Sequence, residues 1–505
     1  MKNKIISIDK LKKIVFKEKK LGKKIVLCHG TFDLLHIGHI KHFKEAKSLG
    51  DKLIVTVTSD RFVNKGPHRP AFNEKQRLES ISSLSFVDYV ALSDDKTSVR
   101  VIKNIKPNIY CKGPDYKDHK KDISGEIINE IKEVKRNKGK IFYTGGATFS
   151  SSKLINTYGK YQTVQQKNII SKVKKQYNIS NIRELIGKFK KIKVLVIGEV
   201  IIDQYNFCEA MGKSGKESML ALKDIRNEQY LGGAGAICRH LSEFCNKITL
   251  LTMVGEKGEF VNYIRKSLPK NIKFKYIKKR KSPTIVKKRF LDYINNNKLL
   301  GVYSINDDLL VESDEKKFTK LLKQQIANHD LIIVSDYGHG MISNKTSKII
   351  SKSSKYLALN AQINSANIGH HSMRNYVKMD CVIVNESELR HEMRDKNNHI
   401  QTLMRKFSKQ QKAGNLVVTR GKEGAILYSK NKYVECGAFA DSAIDKIGAG
   451  DAMLSIISLF FKCGLTWELS LLAGSLAAAQ STRTIGNKEA VSKEKIFKSL
   501  EHLLK

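Results

Sequence analysis

The stretch Lys24–His39, KIVLCHGTFDLLHIGH, joins an apolar run to a turn that carries a glycine and two histidines. The run KIVLC has the length and the β-branched content of a buried strand. Gly30 and Thr31 follow it directly, and His36 and His39 stand one helical turn apart where the next helix would begin. A strand, a glycine-bearing turn and a helix in this order form the repeating unit of a parallel α/β sheet. The stretch therefore predicts this fold class and a ligand site at the turn.

The same alternation of strand-like and helix-like segments extends along the 505 residues. Short apolar runs such as KLIVTVT and KIFYT alternate with helix-like stretches up to about residue 145, and a second series begins with KVLVIG at 193. A chain of this length suits two or three domains. We predict an α/β protein with a helical extension at 1–22, a first domain at 23–158, a polar linker at 159–191 and a second domain at 192–505.

Composition limits the classes of function. The formal charge is +43, but the excess is mostly lysine and is spread along the chain, so we expect no specific nucleic-acid binding and a field that favours small anions. No apolar run approaches the length of a membrane span and no signal-like segment opens the chain, so we expect no membrane partner. The eight cysteines are scattered without a C-x-x-C pair, which favours a reduced, cytoplasmic protein without structural zinc.

The segment GTFDLLHIGH resembles the H-x-G-H signature of the cytidylyltransferase-like nucleotidyltransferases. NEKQR, CKGPDYK and TFSSSKLI match further segments of that family in the same order. The resemblance implies a Rossmann-like domain in which two histidines stabilise a triphosphate while a substrate phosphate attacks the α-phosphorus and expels pyrophosphate. Positioning and charge stabilisation carry most of such a reaction. The choice between ATP and CTP as donor stays open, because no short motif here reports base recognition.

This resemblance assigns roles to residues of the first domain. His36 and His39 would be catalytic. The expected nucleotide and phosphate contacts are Gly30, Thr31, Lys47, Arg77, Ser151 and Ser152, and the residues expected to shape the substrate pocket are Lys112, Gly113 and Asp115. A solvated helix surface is the alternative for Lys47. The segment GGATF before the serines departs from the family pattern, which leaves the acceptor open.

The segment DKIGAGDAM, residues 445–453, places a Gly-Ala-Gly turn and Asp451 before an apolar helix. Amides at such a turn can neutralise a phosphoryl charge, and the carboxylate can take the proton of an attacking hydroxyl. The segment resembles the D-x-x-G-A-G-D signature of ribokinase-like sugar kinases, as VIGEVIIDQY, LGGAGA, VNESE and TRGKEG resemble other segments of that family. The resemblance implies an αβα sandwich with a small β lid and a kinase that uses ATP and Mg²⁺.

By the same resemblance Asp451 is the general base. The expected nucleotide and phosphoryl contacts are Thr419, Gly421, Gly424, Gly448, Ala449 and Gly450. The expected substrate contacts are Asp203, Gly232, Gly233 and Lys213, and Asn385 and Glu388 would hold Mg²⁺ through water. An ordinary surface position is the alternative for Lys213. Ala236 and Ile447 stand where the family usually has Asn and Thr, and Asn360 stands where Asp is common, so an altered substrate choice and a weakened kinase both stay open.

Together the two halves resemble the bifunctional enzymes of ADP-heptose synthesis, with the order of the halves reversed. The resemblance implies a sugar-phosphate kinase joined to a nucleotidyltransferase that forms a nucleoside-diphosphate sugar for lipopolysaccharide or a similar surface polysaccharide. The alternative is a cytidylyltransferase for a sugar or polyol phosphate with a non-catalytic kinase-like half. The expected partners are sugar phosphates and nucleotides, and the pairing of lids in ribokinase-like kinases suggests a homodimer.

Overall fold

The computed structural model describes residues 4–63, 69–117, 126–145, 162–213, 220–363, 367, 371–440 and 443–504, without the side chains of Asp115 and Lys213. The chain divides into two compact units. Unit 1 comprises Met1–Gln162 with Phe497–Lys505, and unit 2 comprises Thr163–Ile496.

Unit 1 is built on a five-stranded parallel sheet with the strand order β3-β2-β1-β4-β5. Its strands are β1 Ile25–Gly30, β2 Lys52–Thr58, β3 Tyr89–Ser93, β4 Ile109–Lys112 and β5 Lys140–Tyr143. Its described helices are α1 Ile8–Lys20, α2 Ile37–Ser48, α3 Glu74–Ser82, α4 Val99–Ile105 and α5 Glu126–Arg136.

The sheet of unit 1 is buried on both faces, which is why its central strands are continuous apolar runs. One core cluster contains Phe43 of α2, and the other contains Leu11 of α1, so the predicted N-terminal extension packs into the unit. The order of the strands reverses between β1 and β4. Their carboxyl ends therefore frame the crevice where ligands bind in open parallel sheets.

Unit 2 contains a nine-stranded sheet and a four-stranded sheet. Its strands are β6 Lys193–Gly198, β7 Val200–Lys213, β8 Leu220–Gly233, β9 Lys247–Gly255, β10 Ile272–Lys279, β11 Val286–Asp292, β12 Lys298–Ser304, β13 Leu331–Asp336, β14 Tyr356–Ala361, β15 Met379–Asn385, β16 Ala413–Thr419, β17 Ala425–Ser429 and β18 Lys432–Cys436. Its helices are α6 Val164–Gln176, α7 Ile179–Lys188, α8 Ala234–Leu241, α9 Val261–Ser267, α10 Glu312–Ala327, α11 Asn344–Ser351, α12 Glu386–Met393, α13 Ile400–Gln411, α14 Ala449–Lys462 and α15 Trp467–Ser481. A last helix, α16 Lys493–Leu504, contains the boundary between the units.

The large sheet runs β10-β9-β6-β13-β14-β15-β16-β17-β18, parallel up to β16 and antiparallel beyond it. Helix α14 is buried without interruption from Ala452 to Phe461, so it lies inside the unit. The small sheet, ordered β12-β11-β7-β8, is called the lid below. Strand β7 follows β6 after one residue, Glu199, so the lid begins at the carboxyl edge of the large sheet. The predicted α/β fold with two domains and a small β lid is confirmed.

The segment predicted to be a linker differs in the structure. Residues 164–176 and 179–188 form α6 and α7, and α6 packs on α15 and β18 of unit 2. Thr163 caps α6, and Gln166 donates to the carbonyl of Ala438. The buried positions Ile169, Ile170 and Val173 follow helical spacing within a polar composition, which hid this apolar face in the sequence. The first boundary between the units along the chain therefore falls between Gln162 and Thr163, before α6. No helix in the described part of the chain is both long and apolar enough to cross a bilayer.

Candidate active sites

The two histidines of the H-x-G-H segment come together at the start of α2. His36 is the N-cap of this helix, and its Nδ1 accepts the backbone N–H of Gly38 at 3.1 Å. The rings of His36 and His39 stack with centroids 3.9 Å apart, and Phe32 meets His39 edge-on at 5.3 Å. Because β1 ends at Gly30, both imidazoles lie at the carboxyl edge of the sheet beside a helix N-terminus, where an anion is favoured.

Two further histidines support this crevice. Nδ1 of His29 lies 2.9 Å from the Thr56 hydroxyl, and Nδ1 of His42 lies 2.9 Å from the Thr144 hydroxyl. Burial, assisted by the positive charge of Lys112, lowers the pKa of each imidazole to about 4. His29 and His42 are therefore neutral near pH 7 and contribute hydrogen bonds rather than charge. His29 lies within the stretch Lys24–His39 and His42 lies three residues beyond it, but no spacing rule marked either residue.

Lys112 ends β4 on the other side of the crevice, where the sequence predicted a substrate contact. Its Nζ pairs with Glu130 at 2.8 Å, and both side chains are almost completely buried. The hydroxyl of Tyr110 also donates to Glu130, at 3.2 Å. The charge of Lys112 is thus engaged within the protein, and the residue positions the segment that starts with Gly113. The side chain of Asp115, and Ser151 and Ser152 entirely, lie outside the described residues.

Arg77 does not have the role that the sequence predicted. Its guanidinium is fully buried and donates to the carbonyls of Phe72, Thr31 and Thr58 at 3.0, 2.6 and 2.8 Å and to Asp60 at 2.6 Å. These acceptors belong to the loops that follow β1 and β2. Arg77 therefore holds Thr31 in place, and the predicted contact between Arg77 and phosphate is corrected to a positioning role.

Lys47 lies away from the site. It comes eleven residues after His36 on the same helix, which corresponds to about 16 Å at the helical rise. Its Nζ pairs with Asp88 at 2.6 Å and donates to the carbonyl of Asp51 at 2.6 Å, and these residues immediately precede β3 and β2. Lys47 is therefore at the amino edge of the sheet, and its predicted phosphate contact is corrected.

In unit 2 the predicted general base is partly buried at the start of α14. The hydroxyl of Tyr337 donates to the carboxylate of Asp451, with its oxygen 3.1 and 3.2 Å from the two carboxylate oxygens. Burial raises the pKa of Asp451 to about 7, with Asp203 adding to the rise and Tyr337 and Lys287 opposing it. A carboxylate with this pKa is suited to accept a proton near neutral pH.

The Gly-Ala-Gly turn before Asp451 depends on its first glycine. Gly448 has φ +86°, and a Cβ there would lie 2.2 Å from Oδ1 of Asn487. A Cβ on Gly450 would meet nothing within 4 Å, so there is room beside the first turn of α14, which begins at Ala449. At the entrance to the turn, Asp445 accepts the N–H groups of Ile447 and Gly486. The close approach at Gly448 and the hydrogen bonds to Asp445 thus fix the turn, and the space beside Gly450 leaves room for a phosphoryl group.

The predicted sugar contact Asp203 lies on the lid strand β7. Its carboxylate forms an ion pair with Arg289 of β11. A Cβ on Gly232 would lie 2.1 Å from Oδ2 of Asp203, and Gly233, at φ +56°, passes close to the carbonyl of Glu199. Gly232 and Gly233 therefore allow β8 to pack closely against the chain at Glu199 and β7. The side chain of Lys213 lies outside the described residues.

The N-x-x-E segment caps α12. The side chain of Asn385 accepts the N–H of Glu388, and the carboxylate of Glu388 accepts the N–H of Asn385, each at 2.8 Å. Both side chains are engaged in this capping box, and their role in holding Mg²⁺ through water stays a prediction. Burial raises the pKa of Glu388 to about 7, and the charge of Asp451 contributes to the rise. A divalent cation fits near two such carboxyl groups because it would offset their like charges. The described residues contain no cluster of three or more metal-ligating side chains.

The predicted nucleotide turn adjoins this capping box. Thr419 of β16 lies in register with Asn385 of β15. Gly421 and Gly424 have φ +56° and +90°, and a Cβ on Gly424 would lie 2.0 Å from the carbonyl oxygen of Cys436. Both glycines are required by the tight connection from β16 to β17. Thr419 and the turn thus share the carboxyl edge of the large sheet with Glu388.

The three departures from the kinase pattern have different structural settings. Asn360 donates from Nδ2 to the carbonyl of Ile383 on the neighbouring strand at 2.7 Å, a bond that an ionised Asp could not make. Ala236 is completely buried in α8, and the N–H of Ile447 is held by Asp445. The amide at 360 therefore has a structural reason within the large sheet.

Residues 191–494, more than half of the chain, match the model of the pfkB family carbohydrate kinases. The chain belongs to the pfkB family of carbohydrate kinases. Residues 27–180 match the cytidylyltransferase-like family. The predicted order, with the nucleotidyltransferase-like half before the kinase-like half, is confirmed.

Curated relatives resemble the N-terminal part of this pfkB-family chain. The bifunctional protein HldE of Aliarcobacter butzleri (strain RM4018) is 42% identical over 139 residues, which are 27% of this chain and 29% of that protein. The bifunctional protein HldE of Geobacter metallireducens is 44% identical over 115 residues, 22% of this chain and 24% of that protein. The chain thus spans less than a third of the length of these relatives.

Solved structures resemble the fold of unit 2. Phosphofructokinase-2 from Escherichia coli in complex with potassium has a TM-score of 0.51 at 13% identity, covering 61% of this chain and 99% of that chain. The same protein in complex with substrates and products has a TM-score of 0.51 at 14% identity, covering 62% and 99%. At this identity the likeness shows the fold, in agreement with the family match.

Proposed function

We propose that this chain is a bifunctional enzyme that phosphorylates a sugar phosphate and joins a nucleotidyl group to a sugar 1-phosphate, in the manner of ADP-heptose synthesis for a surface polysaccharide. One chain carries a partly buried carboxylate at a Gly-Ala-Gly turn, Asp451, and a stacked histidine pair at a helix N-terminus. The similarity of the N-terminal part to the bifunctional proteins HldE supports the heptose assignment. The Asp451 site suits phosphoryl transfer to a hydroxyl, and the histidine pair suits nucleotidyl transfer to a phosphate.

The proposed kinase reaction uses Asp451 as general base. Its carboxylate takes the proton of an acceptor hydroxyl while that oxygen attacks the γ-phosphorus of ATP, and ADP leaves. The amides of the Gly448–Gly450 turn balance the charge that develops on the phosphoryl oxygens. Tyr337 holds the carboxylate in place. Bound Mg²⁺ would neutralise phosphate charge, and Glu388 would hold it through water.

The proposed nucleotidyl transfer uses no covalent enzyme intermediate. An oxygen of the sugar 1-phosphate attacks the α-phosphorus of ATP or CTP, and pyrophosphate leaves. Because Nδ1 of His36 accepts the Gly38 amide, the proton of a neutral His36 is on Nε2. His36, His39 and the first amides of α2 stabilise the charge on the α-phosphate.

Mass spectrometry of products tests both activities. The full chain is incubated with Mg²⁺, ATP, CTP and a panel of sugar and polyol phosphates. We expect a bisphosphorylated sugar and a nucleotidyl sugar. His36→Ala should lose pyrophosphate release only, and Asp451→Asn should lose phosphoryl transfer only. A nucleotidyl product without any kinase product would replace the proposal by the cytidylyltransferase with a non-catalytic kinase-like half.

The proposal includes a cytoplasmic homodimer. All eight cysteines are free thiols, which suits a reducing compartment. Strand β12 is an edge strand of the lid and exposes Leu299, Leu300, Val302 and Tyr303. Exposed apolar edge strands are surfaces that proteins cover. Sedimentation equilibrium should give twice the chain mass, and Leu300→Lys with Val302→Lys should give the monomer.

A further inference from the structure

Lys287 is a lid residue whose ammonium faces two aromatic rings rather than a carboxylate of the described residues. It lies on β11, in register with Asp203 of β7 and Tyr303 of β12. Its Nζ lies 5.4 Å from the centroid of the Tyr337 ring and 5.9 Å from that of Tyr303. No residue in the described part of the chain forms an ion pair or a hydrogen bond with this Nζ.

The neighbouring cations are engaged, which sets Lys287 apart. Arg289, two residues further along β11, is paired with Asp203. Nζ of Lys279 donates to the carbonyls of Asn306 and His339, at 2.6 and 3.0 Å. Burial lowers the pKa of Lys287, and the charges of Asp203, Glu199 and Asp307, which form no ion pair with it, oppose that effect. A partly buried cation without a direct hydrogen-bond partner is a candidate for contact with a ligand.

A second unsatisfied group lies on the same wall. His339 is 1% exposed, and its ring is parallel to that of Tyr337 with centroids 6.4 Å apart. Its Nδ1 lies 2.6 Å from a carboxylate oxygen of Asp307. Its Nε2 is buried and has no hydrogen-bond partner among the described residues. The charge of Lys287 acts on His339 and on Asp451, so the ammonium lies near both.

The direction of β11 separates Lys287 from the phosphoryl-transfer turn. Four residues after Lys287, Leu291 lies in register with Lys298, whose Nζ contacts Asp445 at 2.7 Å. Asp445 lies three residues before the first glycine of the Gly-Ala-Gly turn. Four residues of strand span about 13 Å. An acceptor that places its attacking hydroxyl at Asp451 has its other end pointing away from the turn. That end therefore extends towards Lys287 and His339.

We infer that Lys287, with His339 beside it, binds the phosphate that the acceptor already carries, so that the kinase site selects a sugar phosphate over the free sugar. This inference rests on the proposed kinase function of unit 2. A phosphate oxygen accepts a charge-assisted hydrogen bond from the ammonium. The bound dianion supplies the direct ion pair that Asp203, Glu199 and Asp307, which act on Lys287 only from a distance, do not form. Lys287 is a substrate-binding residue, and Asp451 carries the proton transfer.

Steady-state kinetics of Lys287→Gln and Lys288→Gln test the inference. Lys288 is the matched control because side chains alternate along a strand and Lys288 lines a polar pocket with Gln204 and Asn227 instead. With sugar phosphates, K287Q should raise KM about 10- to 100-fold while kcat and the KM for ATP stay within about twofold. K288Q should behave as wild type. A fall in kcat at unchanged KM, or an equal loss with the free sugar, would overturn the inference.

A binding measurement separates this inference from the kinase proposal. Calorimetry of the full chain without ATP uses glucose 6-phosphate, fructose 6-phosphate and sedoheptulose 7-phosphate, each beside its free sugar. We expect the phosphorylated sugars to bind to wild type and K288Q, and K287Q to lose about tenfold or more in affinity. If no acceptor is phosphorylated but this pattern holds, the kinase proposal fails and the phosphate site stands. If wild type phosphorylates or binds only free sugars, or binds no sugar phosphate, the phosphate site is wrong.

Discussion

The hydroxyl of Tyr337 lies 3.1 Å from Oδ1 and 3.2 Å from Oδ2 of Asp451. Tyr337 follows the carboxyl end of β13, and Asp451 begins α14, so this contact joins the large sheet to the helix that carries the base. The backbone N–H of Tyr337 donates in turn to the buried carboxylate of Glu199 at 3.0 Å. The base is therefore oriented by a residue that is itself held by the start of the lid.

Removing this hydroxyl should weaken the kinase and shift its pH profile. A donor to a carboxylate favours the charged form, so Tyr337→Phe should raise the pKa of Asp451 further. A hydrogen bond to a charged group contributes about 1.5–3 kcal/mol, which corresponds to a shift of about one to two pH units. The measurement is kcat/KM for phosphoryl transfer against pH. Tyr428→Phe, which removes a hydroxyl bound to Asn431, is the control. An unchanged midpoint in Y337F would contradict the proposed role of Tyr337.

The wild-type kinase should itself lose activity as the pH falls through about 7. The pKa of Asp451 is raised to about 7, so the carboxyl group is protonated below that pH and cannot accept a proton. Well below the midpoint kcat/KM should fall about tenfold per pH unit. Pyrophosphate release by unit 1, measured in the same samples, is the internal control for general inactivation. A flat kinase profile between pH 5.5 and about 8 would exclude Asp451 as the titrating base.

Arg77 and Lys47 should differ sharply as mutation sites. Arg77→Met leaves Asp60 and three carbonyls without their buried donor, so it should lower the free energy of unfolding of unit 1 by about 3–5 kcal/mol. Lys47→Met breaks a partly exposed pair with Asp88 and should cost about 1 kcal/mol or less. Hydrogen exchange of peptides from β1 and β2 reports the stability, and pyrophosphate release reports activity. Loss of activity in K47M without loss of protection would show that Lys47 acts in the site.

Gly448 should be indispensable for the kinase alone. Gly448→Ala places a Cβ at φ +86° and 2.2 Å from Asn487, so the turn must shift. Because phosphoryl transfer depends on the position of these amides, kinase activity should fall by about 100-fold or more. Gly187→Ala in α7, where a Cβ meets nothing within 4 Å, should be neutral or stabilising. Nucleotidyl transfer should persist in both variants. A kinase that tolerates G448A would show that the turn does not hold the phosphoryl group.

Local motifs indicated the residues that we propose as the centres of both sites, and tertiary packing decided their surroundings. His36, His39 and Asp451 could be found because a strand, a turn and a helix within a few residues place them at a carboxyl edge. The roles of Lys47 and Arg77 depended on which edge of the sheet each cation reaches and on the acceptors that loops distant in sequence bring to it. Lys287 was not predicted, because the register of β11 between β7 and β12 decides which lysine of VKKRF faces the site. The helices α6 and α7 were missed because few apolar positions mark their packed face.

His240 should make unit 2 sensitive to acid. It is buried, its Nδ1 accepts the N–H of Val491 at 3.1 Å, and burial, with a contribution from Arg239, lowers its pKa to about 3. An unfolded chain protonates this histidine below about pH 6.5, whereas the folded chain resists protonation down to about pH 3. The unfolded state therefore binds more protons in this window, and the contribution of His240 to stability is complete above pH 6.5 and is lost as the pH falls.

The variant His240→Asn retains an acceptor for Val491 and removes the titration. The unfolding free energy of the variant should therefore decline less steeply than that of wild type, by on the order of a few kcal/mol between pH 7 and 4. Urea unfolding is followed by the fluorescence of Trp467, the only tryptophan in the chain. It measures the slope of the unfolding free energy against pH for wild type and for His240→Asn. Parallel slopes would mean that His240 is protonated in the folded protein.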